Sequence, residues 1–139
     1  MLVTTKLASH AQLDALKAVS GPLDGLIVKL FTNSLTIDHD SVAGDFTEAT
    51  FDGYAASTAI AWGATHFNAN NKAQLVGDTK QFTAGASVAS ETVQGYFVVD
   101  GSGDLVFAER FDSPVTISEE HDAISVVPVY TLGSLTTSA

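Results

Sequence analysis

One stretch limits the possible folds of this chain more than any other: Val93 to Val99, then Asp100-Gly101-Ser102-Gly103-Asp104, then Leu105 to Phe111. Two runs rich in β-branched and aromatic residues flank a polar turn whose glycines supply the positive backbone angles of a tight reversal. This pattern is a β-hairpin. Similar signals recur along the chain. Gly25 to Thr32 reads as a strand whose nearly continuous apolarity predicts burial on both faces, with Asn33 and Ser34 at its end. Ser57 to Trp62 and Ala64 to Asn68 read as short strands around Gly63, followed by a turn at Asn70-Asn71. Lys72 to Val76 and Asp78 to Thr83 follow as strands divided at Gly77-Asp78, with Phe82 facing inward. After a small-residue loop over Ala84 to Ser90 and the hairpin, Pro114 to Ser118 and Ala123 to Leu132 predict a last pair. The acidic loop Glu119-Glu120-His121-Asp122 joins them, and Pro128 marks an edge or a bulge.

Helical signals are sparse. Ser9 and Gln12 have capping-box spacing and Leu13 and Leu16 share a face, so a helix is expected over Ser9 to Val19, ended by Gly21 and Pro22. Thr36 to Gly44 is a polar, acidic loop. Asp45 and Glu48 could cap one helical turn through Ala49, with Phe46, Phe51 and Tyr54 anchoring the region to the core. Seven or eight short strands and one good helix predict a mainly β fold, an antiparallel two-sheet sandwich or jelly roll. No repeat or linker divides it, so one domain over 1–139 is expected, with residues 1–22 as an N-terminal helical arm and Gly133 to Ala139 as a polar tail.

Charge narrows the function. Six basic residues against sixteen acidic ones give a net charge of -10. Such a chain offers no basic stripe to phosphates or to an anionic membrane, so neither nucleic acid nor membrane is an expected partner. There is no apolar run of about eighteen residues and no secretory-signal pattern, so the chain is expected to stay soluble where it is made. Without cysteine, disulfides, thiolate catalysis and sulfur-ligated zinc are excluded.

Candidate chemistry is thin. Asp100, Ser102 and Asp104 copy the first three ligand positions of a calcium loop, but position twelve is Phe111 where a bidentate glutamate is needed. Asp38-His39-Asp40 and Glu119-Glu120-His121-Asp122 place imidazoles among carboxylates, which could hold a divalent ion only if the two loops met in space. His66 and His10 have no recognisable partner. Trp62, Tyr54, Tyr96 and Tyr130 could line a sugar-stacking face, although core filling is the ordinary use of such rings, as for Phe31, Phe67, Phe82, Phe97, Phe107 and Phe111. No nucleophile-elbow, zincin, Walker or dinucleotide fingerprint occurs. The expectation is therefore no catalytic residue, no cofactor and no metal.

Leu26-Ile27-Val28-Lys29-Leu30-Phe31-Thr32-Asn33, followed by Asp45-Phe46-Thr47-Glu48-Ala49-Thr50-Phe51-Asp52-Gly53-Tyr54, resembles small structural proteins of tailed phages. Val93 to Asp100, Ala108 to Phe111, Pro114-Val115 and Val126-Val127-Pro128 resemble the C-terminal half of the same group. The resemblance implies a virion component assembled in the host cytoplasm. It would be a capsid cement or decoration protein, or a tail-associated module, built as a homo-oligomer such as a trimer and contacting the major capsid protein. Physical reasoning is compatible: few lysines and many small residues lose little side-chain entropy on close packing. The acidic surplus could meet a basic patch on a shell, so salt should weaken attachment. Arg110, between Glu109 and Phe111, is the best candidate for a specific ion pair. The alternative is a receptor- or glycan-binding module on the virion surface or tail. A third reading, a small hydrolase, would need ionisable groups converging in a cleft.

Overall fold

The computed structural model describes residues 14, 15, 17, 18, 21 and 23–132. The helix expected over Ser9 to Val19, the arm over 1–22 and the tail over 133–139 lie wholly or largely outside them.

The fold is mainly β, in antiparallel sheets. β1 (Ile27–Phe31), β5 (Glu91–Val99) and β6 (Leu105–Ile117) form one three-stranded sheet in the order β1-β5-β6. β2 (His66–Phe67), β3 (Ala73–Val76) and β8 (Val129–Thr131) form a second, in the order β2-β3-β8. β4 (Lys80–Thr83) and β7 (Ala123–Val126) make a two-stranded ribbon. The expected hairpin is β5 and β6, closed by a turn in which Gly103 adopts a φ of 86°.

β1 is covered on both faces, as its apolarity predicts. Its side chains alternate across the sheet. Val28 and Leu30 enter the main core with Val93, Tyr96 and Val98 of β5, together with Leu75, Phe82, Ile117 and Ile124. Ile27 and Phe31 face the other way, into a smaller core with Phe46, Phe97 and Val99. There Phe46 stacks on Phe97 at 4.7 Å and meets Phe31 edge-on at 4.9 Å; such ring pairs contribute about 1 kcal/mol each beyond area burial. Gly95, opposite Phe31 in the ladder, permits this approach. A Cβ there would lie 2.8 Å from both the Phe31 ring and the Arg110 Cα.

Several expectations need correction. Pro114 to Ser118 does not start a separate strand paired with the chain's end. Pro114 lies inside β6, which pairs back to β5 as far as Glu91↔Ile117, while β7 pairs with β4. The reason is a bulge. Val93 faces Val115 and Gly95 faces Arg110, so four residues of β6, Phe111 to Pro114, stand opposite Gln94 alone. A proline is tolerated there because no ladder N–H is required of it. Residues 57–62 form no strand. Ser57 and Ile60 donate their N–H groups to the Val28 and Leu26 carbonyls, and Trp62 makes one bridge to Gly77. The strand expected over Ala64 to Asn68 shrinks to β2. The helical turn expected from Asp45 lies earlier, as a 3-10 turn over Ala43–Asp45, whose Asp45 carboxylate accepts the Val42 N–H. Phe46 and Phe51 are buried and Tyr54 packs on the main core, as their anchoring role requires.

Candidate functional site

The acidic motifs serve their own backbones. Asp100 Oδ1 accepts the N–H groups of Ser102 at 2.9 Å and Asp104 at 3.0 Å. Asp38 Oδ1 accepts the Asp40 N–H at 2.9 Å, and Ser41 Oγ accepts the Asp38 N–H at 2.9 Å. Asp122 Oδ2 accepts the N–H groups of Ser118 and Glu119, both at 2.9 Å, and these bonds hold its carboxyl below the usual range. Short carboxylate side chains reach nearby N–H groups in turns readily. Among the described residues no group of three or more His, Asp or Glu side chains is placed to hold a metal ion, and the two acidic loops are not brought together as one. His121 adopts a φ of 74° and is exposed, its Nε2 3.7 Å from Glu120. His66 Nε2 lies 3.0 Å from Gln74 Oε1, and Gln74 donates to Thr131 Oγ1 at 3.1 Å, a polar ladder across β2, β3 and β8. His10 lies outside the described residues.

The aromatic candidates are dispersed and engaged. The Trp62 indole N–H donates to the Leu23 carbonyl at 2.9 Å, and its half-buried ring tilts against Phe107. The Tyr54 hydroxyl donates to Glu48 at 2.7 Å and accepts the Leu30 N–H at 3.2 Å. Tyr96 donates to Glu109 at 3.0 Å. Burial comes first in raising both phenols above their ordinary range, and the adjacent carboxylates add to it. Tyr130 meets Phe107 edge-on at 5.9 Å. Arg110 makes no ion pair with a described residue; its Nη1 donates to the Leu35 carbonyl at 3.4 Å.

Two features escaped the sequence reading, and both flank the β4–β7 ribbon. On the β4 side lies an open groove of about 380 Å³ between the strand and residues 55–58. Lys80 ties that side together. It is only 6% exposed, and its ammonium donates to Thr58 Oγ1 and the Ala59 carbonyl, both at 3.0 Å, and to Asp78 at 2.8 Å. The Lys80 bond leads the causes that push the Asp78 carboxyl below its usual range. Alternation in a strand puts residues two apart on one face, so Asp78-x-Lys80 was the available signal.

On the β7 side, two adjoining hollows of about 260 and 340 Å³ run between that strand and the bulged part of β6. Phe111, Val115, Ala123 and Val127 line them. Val127 is 46% exposed, and Val115 and Val129 are each 36% exposed. Among the described residues no hydrogen bond joins β6 to β7 along this slot, which is closed at one end by the capped turn at Asp122. Chemically the slot offers a mixed lining, apolar at Phe111, Val115, Ala123 and Val127 and polar at Glu109, Asp112 and Ser125, beside two strand edges unpaired among the described residues.

No protein-family model, curated protein or solved structure matches this chain.

Proposed function

We propose that this chain is a non-enzymatic structural subunit of a tailed-phage particle, a capsid cement or decoration protein that binds its own copies and the major capsid protein. Its sheets face one another as a sandwich in this reading, and it works in the virion after assembly in the host cytoplasm. One observation carries the proposal: a slot lined in part by the exposed Val115 and Val127 lies open along two strand edges that are unpaired among the described residues. Apolar edges left uncovered on an acidic body are what a subunit presents to neighbours. The phage-like sequence words at residues 26–54 and 93–128 supply the setting. Trp62, tied to the Leu23 carbonyl and leaning on Phe107, weighs against the glycan-binding alternative, which needs a free ring face.

The test is a mass measurement of the purified protein at two concentrations, with sedimentation of capsids mixed with it at low and high salt. Self-association and salt-sensitive co-sedimentation are expected. A concentration-independent monomer that leaves capsids bare at every ionic strength would refute the proposal.

A further inference from the structure

We infer that the slot between β6 and β7 receives an added strand: an extended segment of a partner polypeptide in which apolar residues alternate with lysine or arginine. The inference rests on the assembly reading above and gives its partner a chemistry.

Backbone supply comes first. β6 ends the order β1-β5-β6 and β7 ends the β4–β7 ribbon, so each presents one edge without a strand partner among the described residues, and both edges border the slot. An extended segment laid between them would pair with both and join the three-stranded sheet to the ribbon. The bulge at Phe111 to Pro114 takes that part of β6 out of its ladder with β5, and Phe111 and Asp112 of the bulge line the slot. Side-chain recognition comes second. Phe111, Val115, Ala123 and Val127 make an apolar floor and wall, which suits every second residue of an incoming strand.

Charge selects the occupant. Among the described residues no lysine lines the slot, Glu109 and Asp112 stand exposed on its β6 rim, and the Asp112 carboxylate has no partner. Arg110, the one cation on that rim among the described residues, donates to the Leu35 carbonyl. The whole chain carries -10, so at this slot an acidic segment is repelled where a basic one is attracted.

The probe is a synthetic peptide of roughly nine residues, valine alternating with threonine and lysine, compared with the same peptide bearing glutamate for lysine. The full-length protein should bind the lysine peptide at least tenfold more tightly than the glutamate peptide, and binding should weaken as salt rises. Backbone amides of β6 and β7 should gain protection from hydrogen exchange. V127D and D112K, both at exposed positions, should each weaken binding while leaving the unfolding midpoint near wild type. Equal binding of both peptides, protection confined to other strands, or no binding at all would overturn the inference. If the peptide fails while the protein still self-associates or decorates capsids, the strand slot alone is refuted. If the peptide binds but capsids stay bare and the protein stays monomeric, the virion reading falls and the slot stands.

Discussion

The two flanks of the β4–β7 ribbon solve the same problem differently. Each sets a strand edge against a neighbouring segment that does not pair with it. Beside β4, a buried ammonium reaches Thr58, Ala59 and Asp78 and stands in for the missing ladder. Beside β7, no hydrogen bond or ion pair among the described residues crosses the gap, and Phe111, Val115, Ala123 and Val127 line much of it. The difference teaches that an unpaired edge is made self-sufficient by a polar tie and receptive by its lack. A charged donor satisfied three ways is costly to remove, whereas a solvent-facing valine can change at little cost to the fold.

Removing the tie should have the largest effect. Lys80→Ala takes three charge-assisted bonds and a buried alkyl chain, and should lower unfolding free energy by about 3 kcal/mol in urea titration. A loss below about 1 kcal/mol would mean that the β4 flank is held by packing, as the other flank is. Phe111→Ala should cost less, about 2 kcal/mol, because the half-buried ring packs on the main core from the slot side. If it cost more than Lys80→Ala, the slot would be the better-buttressed flank and the contrast would be reversed.

Acid offers a finer probe. The Asp78 carboxyl is held below its usual range by the Lys80 bond, so the folded state binds fewer protons there than the unfolded chain. Its contribution is present above the unfolded pKa and is lost as pH falls through the lowered folded value. Unfolding midpoints measured from pH 5 downward, on the order of two units, should fall in the wild type and fall less in Asp78→Asn. Asp122, lowered by the Ser118 and Glu119 N–H groups at the closed end of the slot, has the same sign. Because its partners are two neutral N–H groups rather than an ammonium, it should give the smaller difference between wild type and Asp122→Asn. Least of all, Val127→Asp should leave the midpoint within experimental scatter in every buffer while weakening binding of the lysine peptide.

Much of the architecture was legible because it is written in local patterns. The Asp100 to Asp104 turn announced the β5–β6 hairpin, Gly77-Asp78 separated β3 from β4, and the two-sided apolarity of residues 27–31 announced two-sided burial. Pairing beyond neighbours was less visible. Pro114 looked like a strand start because a proline inside a thirteen-residue strand needs a bulge, and a bulge leaves no short-range mark. Residues 57–62 have strand-like composition, yet the Ser57 N–H meets β1 at Val28 and the Ile60 N–H meets Leu26 just before it, without forming a ladder. The acids looked like ligands because ligand spacing and turn-capping spacing coincide at i and i+2. The slot could not be read at all, since it follows from which edges remain unpaired after every sheet has formed.

Trp62 is the chain's one tryptophan, and it is fastened to a carbonyl of the segment that leads into β1. The protein therefore carries its own optical gauge. Detachment of that leading segment would wet the indole and red-shift its emission even while the sheets stay intact, so fluorescence and circular dichroism would part company if the entrance to β1 frays before the body melts.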